Sequence, residues 1–271
     1  SKHRFAAALS ALTMCMAVPA QADIRADTEA LLRAPHRLSG TPEYAAAADH
    51  VAARLREIGI TNIVVQEFPS LQTEVRRCEL VADGRVLPLV PGRPNAVQPP
   101  VSPPEGIVGE LVDLGDGSDD RLNAGAVRDR IVVMDYNAGT QWLKAFRLGA
   151  RAVVFVDAAA ADSQNHHYVR ASANLPRFFF AGTRADLPIG QRATIHSEIT
   201  WRRTTGRNVI AFLPGTDPTF ELGLEEAIVL GAHLDTFGEF PRLAPGARAA
   251  ANCAGLLRLA EIFQAHRPRR H

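Results

Sequence analysis

Apolar positions recur at helical spacing in two places near the start of the chain. Asp27 to Arg33 reads as a short helix, and the loop Ala34-Pro-His-Arg-Leu-Ser-Gly40 follows. Thr41 then stands where an N-cap belongs, with Pro42 at the first helical position. Tyr44, Ala47, Val51, Leu55 and Ile58 share one helical face up to Gly59, a plausible stop. Beyond this the period shortens. Ile63 to Phe68 predicts a strand, and Glu74–Val81 and Val86–Val90 flank Asp83-Gly84 as two arms of a hairpin. After a proline-rich loop from Pro91 to Pro104 come three short apolar runs, Ile107–Leu114, Ile131–Asp135 and Ala152–Val156. A helix is expected over Thr140–Leu148, with Trp142 and Phe146 on one face, and further strands over Arg177–Ala181 and Ile195–Arg203.

The last third predicts strands over Asn208–Leu213 and Ala227–Ala232. The second is apolar throughout, as expected of a strand covered on both faces of a sheet. A final helix is expected from Asn252, with Leu256, Leu259, Ala260 and Phe263 on one face. These elements describe an α/β chain: a partial core of mixed sheet and flanking helices that carries a β-rich insertion. The organisation that follows is a leader over residues 1–22, a first core part over 23–70, an inserted block over 71–205, and a second core part over 206–271.

Residues 1–22 change the picture of location. Lys2, His3 and Arg4 precede an apolar stretch from Phe5 to Val18, and Ala20-Gln21-Ala22 ends it. A basic start, a short apolar centre and an Ala-x-Ala end describe a secretory signal peptide cleaved before Asp23, so the protein is expected to be secreted or periplasmic. No apolar run reaches the length of a membrane-spanning helix. Among 271 residues, 30 basic and 29 acidic side chains leave a net charge of +1, and Lys2 and Lys144 are the only lysines. That balance gives no general pull toward nucleic acid. Of three cysteines, Cys15 falls in the leader, and Cys78 and Cys253 read as small buried hydrophobes. There is no Gly-x-Ser-x-Gly elbow and no phosphate-binding glycine loop. His166-His167-Tyr168 reads as an exposed polar loop of the inserted block.

Chemistry concentrates at Gly231-Ala-His-Leu-Asp-Thr236, at the end of the last predicted strand. Ligands bind at the carboxyl ends of strands in open α/β sheets. Strand alternation sends His233 and Asp235 to one side. An imidazole with a nearby carboxylate suits zinc.

Several segments in order resemble one family. They are His36-Arg-Leu-Ser-Gly-Thr-Pro42, Asn208-Val-Ile-Ala-Phe-Leu-Pro-Gly-Thr-Asp217, Ala227-Ile-Val-Leu-Gly-Ala-His-Leu-Asp235, Pro245-Gly-Ala247, and Asn252-x-x-Gly255 before an apolar helix. Together they resemble the secreted co-catalytic di-zinc aminopeptidases of peptidase family M28, relatives of glutamate carboxypeptidase and the transferrin receptor. The strand-rich middle is similar to the protease-associated domain that many members insert.

The resemblance implies a hydrolase that removes N-terminal residues from a peptide or protein with two zinc ions. His233 matches the first zinc ligand and Asp235 the carboxylate that orients it. It also implies an Asp before Asn252 that bridges both metals, and that position is Ala251, with Arg248 nearby. Two divalent ions roughly 3.5–4 Å apart repel by roughly 19 kcal/mol at an effective dielectric near 20, and a bridging carboxylate offsets much of this. The family's general-base Glu and its remaining ligands lie beyond the motifs present. The expectation is therefore a C-terminally incomplete relative that binds zinc weakly at most and is inactive as it stands. The alternative from another class is a non-catalytic peptide- or protein-binding module built on the protease-associated domain.

Overall fold

The computed structural model describes residues 23–93, 99–156, 173–216, 227–236, 238, 240, 244 and 246–269. The leader and the His166-His167-Tyr168 loop lie outside the described residues.

Two helices open the chain, α1 (Ile24–Leu32) and α2 (Pro42–Glu57). Each is capped as its sequence requires. The Asp23 carboxylate accepts from the Arg25 and Ala26 amides, the Thr41 hydroxyl accepts from the Tyr44 amide, and Pro42 fills the first helical position. Between α1 and α2, Asp27 is buried and accepts from Arg54 Nε at 2.9 Å, with His50 Nε2 at 3.3 Å.

The strands are β1 (Ile63–Ala82), β2 (Arg85–Pro88), β3 (Val90–Pro91), β4 (Ile107–Asp113), β5 (Ile131–Asp135), β6 (Ala152–Val156), β7 (Arg177–Phe179) and β8 (Arg192–Ala211). They join in one mixed sheet of order β2-β1-β8-β4-β5-β6-β7-β3. β4 to β7 run parallel, with the short helices α3 (Ala124–Val127) and α4 (Trp142–Arg147) in the crossovers. Asp83 and Gly84, both at positive φ, make the two-residue turn between β1 and β2.

β1 and β8 form an antiparallel ribbon from Ile63↔Ala211 to Val81↔Thr194, with one irregularity between Val75 and Arg77. The stretches Ile63–Phe68 and Glu74–Val81 are thus one strand, and Ile195–Arg203 continues into the stretch that begins at Asn208. The far end of the ribbon puts Leu80 and Ile195 into a core with Leu111, Ile131, Val133, Val154 and Phe178. Its near end puts Ile63, Val209 and Ala211 against α2 and the last helix, α5 (Ala247–Ala265). On the other face of the parallel strands, Val132, Met134, Val153 and Phe155 pack with Trp142 and Val127. This in–out alternation along fully buried strands is why those runs are apolar at consecutive positions. Phe146, expected beside Trp142, is instead 39% exposed.

Two expectations fail near the end of the chain. Residues 227–232 do not form a strand, and Ile228 and Val229 are 74% and 88% exposed. An apolar run becomes a buried strand only when neighbours pair with its edges and cover its faces. None of the eight strands pairs with this segment. α5 starts at Ala247, five residues before Asn252, because Gly246 at φ +67° turns the chain directly into a run of alanines. Its buried stripe is Ala250, Cys253, Ala254 and Leu257, while Leu259 and Phe263 are partly exposed. No helix among the described residues is long and apolar enough to cross a membrane. Cys78 and Cys253 are both free thiols.

Candidate functional site

The segment from Ala232 to Thr236 has no regular secondary structure, bends at Asp235 and lies against the helices. Leu234 and Ala232 turn inward onto Leu31, Ala47, Ala250 and Cys253. The alternation then sends His233 and Asp235 outward to one side, with Nδ1 and Oδ1 3.6 Å apart. The sequence therefore places this pair correctly relative to each other. The surroundings differ from expectation, since the side chains are 94% and 44% exposed rather than set at the end of a paired strand.

What fixes the segment is its main chain. The Cys253 thiol donates to the His233 carbonyl at 3.2 Å, which ties the pair to the second turn of α5, two residues from Ala251. Arg37 Nε donates to the Leu234 carbonyl at 2.9 Å. The Arg37 amide donates to Thr236 Oγ1, and the Thr236 amide donates back to the Arg37 carbonyl, both at 2.9 Å. Downstream, Phe240 packs with Tyr136, Phe155 and Phe179, with ring centroids about 6 Å away, inside the core of the parallel strands. The segment is thus held between a buried arginine on one side and an aromatic cluster on the other.

The electrostatic surroundings are those of a half-buried polar group at the mouth of an apolar trough. Burial pushes the Cys253 thiol up, with Arg37 opposing and Asp235 adding to the shift. Burial also raises the Tyr44 phenol, and Asp235 and Cys253 act in the same direction. Tyr44 donates its hydroxyl to the Arg207 carbonyl, linking α2 to β8. The trough encloses about 830 Å³ between β8, α2, α5 and this segment. Val209, Ala211, Leu213, Leu256 and Phe263 line its apolar length, and His233 and Asp235 lie at its rim.

A structural or catalytic zinc takes three or four side-chain ligands. His233 and Asp235 supply two donors, and the position that would add a bridging carboxylate is Ala251, exposed on α5. Among the described residues no group of three or more His, Cys, Asp or Glu side chains is disposed to hold a metal ion. The described residues therefore do not make up a two-zinc centre. Sequence reading missed Arg37 and Thr236. An arginine inside a loop carries no signature of the carbonyls it will reach.

No protein-family model matches the sequence, and no curated protein sequence does either. Solved structures do match. A zinc aminopeptidase from Bacillus subtilis superposes with a TM-score of 0.59 at 16% identity, over 90% of this chain and 58% of that one. A second crystal structure from the same organism gives 0.54 at 15% identity, over 90% and 58%. A peptidase M28 precursor from Shewanella amazonensis gives 0.53 at 17% identity, over 89% and 61%. The chain spans about three fifths of the length of each of these structures. The α/β architecture, with its mixed sheet and flanking helices, is thus the fold shared with the matched parts of two zinc aminopeptidase structures and a peptidase M28 precursor.

Proposed function

We propose that this chain is an exported zinc aminopeptidase-family protein that handles peptide or protein, and that it does not turn over substrate by itself. One observation carries the reading: His233 and Asp235 stand side by side and are tied through Cys253 to the helix that bears Ala251-Asn252. The fold of the two Bacillus zinc aminopeptidase structures and of the Shewanella peptidase precursor supports it. The basic, apolar, Ala-x-Ala succession of residues 2–22 supports export. The block from 71 to 205 is read as the protease-associated insertion, with peptide as its partner. Zinc held by a full ligand set would polarise the scissile carbonyl. Here His233 and Asp235 offer only a weak, open foothold for one ion.

A second reading, a non-catalytic peptide-binding module, is favoured by the same Ala251 combined with the apolar trough beside it. The test is zinc stoichiometry after dialysis, together with hydrolysis of a panel of aminoacyl chromogenic substrates. The expected result is less than one retained zinc and no turnover. Two retained zinc ions, or turnover abolished by both chelation and His233→Ala, would overturn the inactive reading. Weak zinc binding that survives His233→Ala would remove the metal position from His233.

A further inference from the structure

Arg37 is fully buried, and its side chain donates to one nearby and two distant main-chain carbonyls. Nη1 donates to Leu31 at 2.7 Å, Nε to Leu234 at 2.9 Å and Nη2 to Gly246 at 3.0 Å. The three acceptors differ in what else satisfies them. Leu31 lies in the last turn of α1, and the residue four positions on is Pro35, which has no N–H to give. Leu234 lies between His233 and Asp235 in a segment with no strand partner among the described residues. Gly246 is the residue from which α5 departs, and its carbonyl also accepts from the Ala250 amide at 3.0 Å. The planar fork of a guanidinium presents donors in fixed directions, and a lysine ammonium does not reproduce that geometry.

We infer that Arg37 is the positioning residue of the His233–Asp235 pair. It fixes the Leu234 carbonyl while its own main chain fixes Thr236, so the two side chains in between and beside them are forced to one side. This deepens the functional reading given above and rests on it for the meaning of the pair, but the geometry is tested without metal or substrate.

The experiment compares the wild-type chain with Arg37→Met and Arg37→Lys by amide hydrogen exchange. In each background the His233 ring resonance is followed with and without Asp235→Asn. In Arg37→Met, exchange of the Thr236 amide should rise by about tenfold or more while Val132 and Val154 in the parallel strands keep their rates. Asp235→Asn should shift the His233 resonance in the wild type and leave it unmoved in Arg37→Met. A merely structural role would not abolish that coupling. Arg37→Lys should behave like Arg37→Met, and it is read by the same criteria if Arg37→Met unfolds.

Thr236 exchange within about twofold of wild type, or coupling that survives both substitutions, would overturn the inference. So would loss of protection at Val132 and Val154 in both variants, which would make Arg37 a support of the whole fold. Zinc added to the wild type reports the functional reading separately. If the His233 resonance does not respond to zinc, the metal position fails and the positioning role stands.

Discussion

Gly246 lies so close to Thr236 that a Cβ on the glycine would meet the threonine methyl at 2.6 Å and Arg37 Nη2 at 3.2 Å. The glycine also sits at φ +67°, where an L side chain is strained. Gly246→Ala should therefore lower stability by about 1–3 kcal/mol, seen as a fall in the urea midpoint. An unchanged midpoint would show that Thr236 yields without cost.

Alkaline pH should weaken the fold through its thiols. Burial pushes Cys78 up to about 12, against an opposing hydrogen bond with Ser197, and Cys253 moves in the same direction. Between the ordinary thiol value near 8.5 and that raised value, the unfolded chain gives up its proton and the folded chain keeps it. Stability is thus complete below pH about 8.5 and falls as pH rises, by up to about 1.4 kcal/mol per pH unit for Cys78. Urea midpoints at pH 7, 9 and 10 should fall in parallel for wild type and Cys78→Ala if that thiol contributes nothing. A shallower loss in the alanine variant is the expected outcome.

A buried carboxylate links α1 to α2. Asp27→Asn removes the charge that meets Arg54 Nε at 2.9 Å in a site where Asp27 is only 5% exposed. A loss of about 1–3 kcal/mol is expected. A double-mutant cycle with Arg54→Met should assign most of it to the pair. Additive effects would place the loss elsewhere.

Restoring one carboxylate should not restore chemistry. Ala251→Asp adds a carboxylate on α5 two residues from Cys253, whose thiol holds the His233 carbonyl, and should tighten zinc binding in a calorimetric titration. A catalytic zinc also needs its open position, a positioned base and a full ligand set, so hydrolysis of aminoacyl substrates should stay at background. Chelator-sensitive turnover in this variant would show that ligands come from residues other than these.

Much of the fold was legible because local chemistry decides it. Thr41 and Pro42 announce α2, Asp83-Gly84 announces its turn, and β4 to β6 follow from short apolar runs between turn residues. The length of the ribbon was hidden, since Pro69 and the polar residues after it look like a break. A strand with an open edge admits both. Residues 227–232 were misread because apolarity records a demand for burial and not the presence of a partner. At the site, His233 and Asp235 were visible through their spacing of two. Arg37 was not, because its contacts are carbonyls 6, 197 and 209 positions away and carry no side-chain code.

The register of β1 and β8 has one more consequence. Leu71 pairs directly with Arg203, and Pro69 with Thr205. The chain therefore departs toward the parallel strands and returns from them through a doorway one strand spacing wide, about 5 Å. Topologically, everything beyond that doorway is the tip of a single hairpin. The stretch that carries Phe240 joins that tip from outside the hairpin, through its packing on Tyr136, Phe155 and Phe179, so the tip also anchors the segment that bears His233 and Asp235.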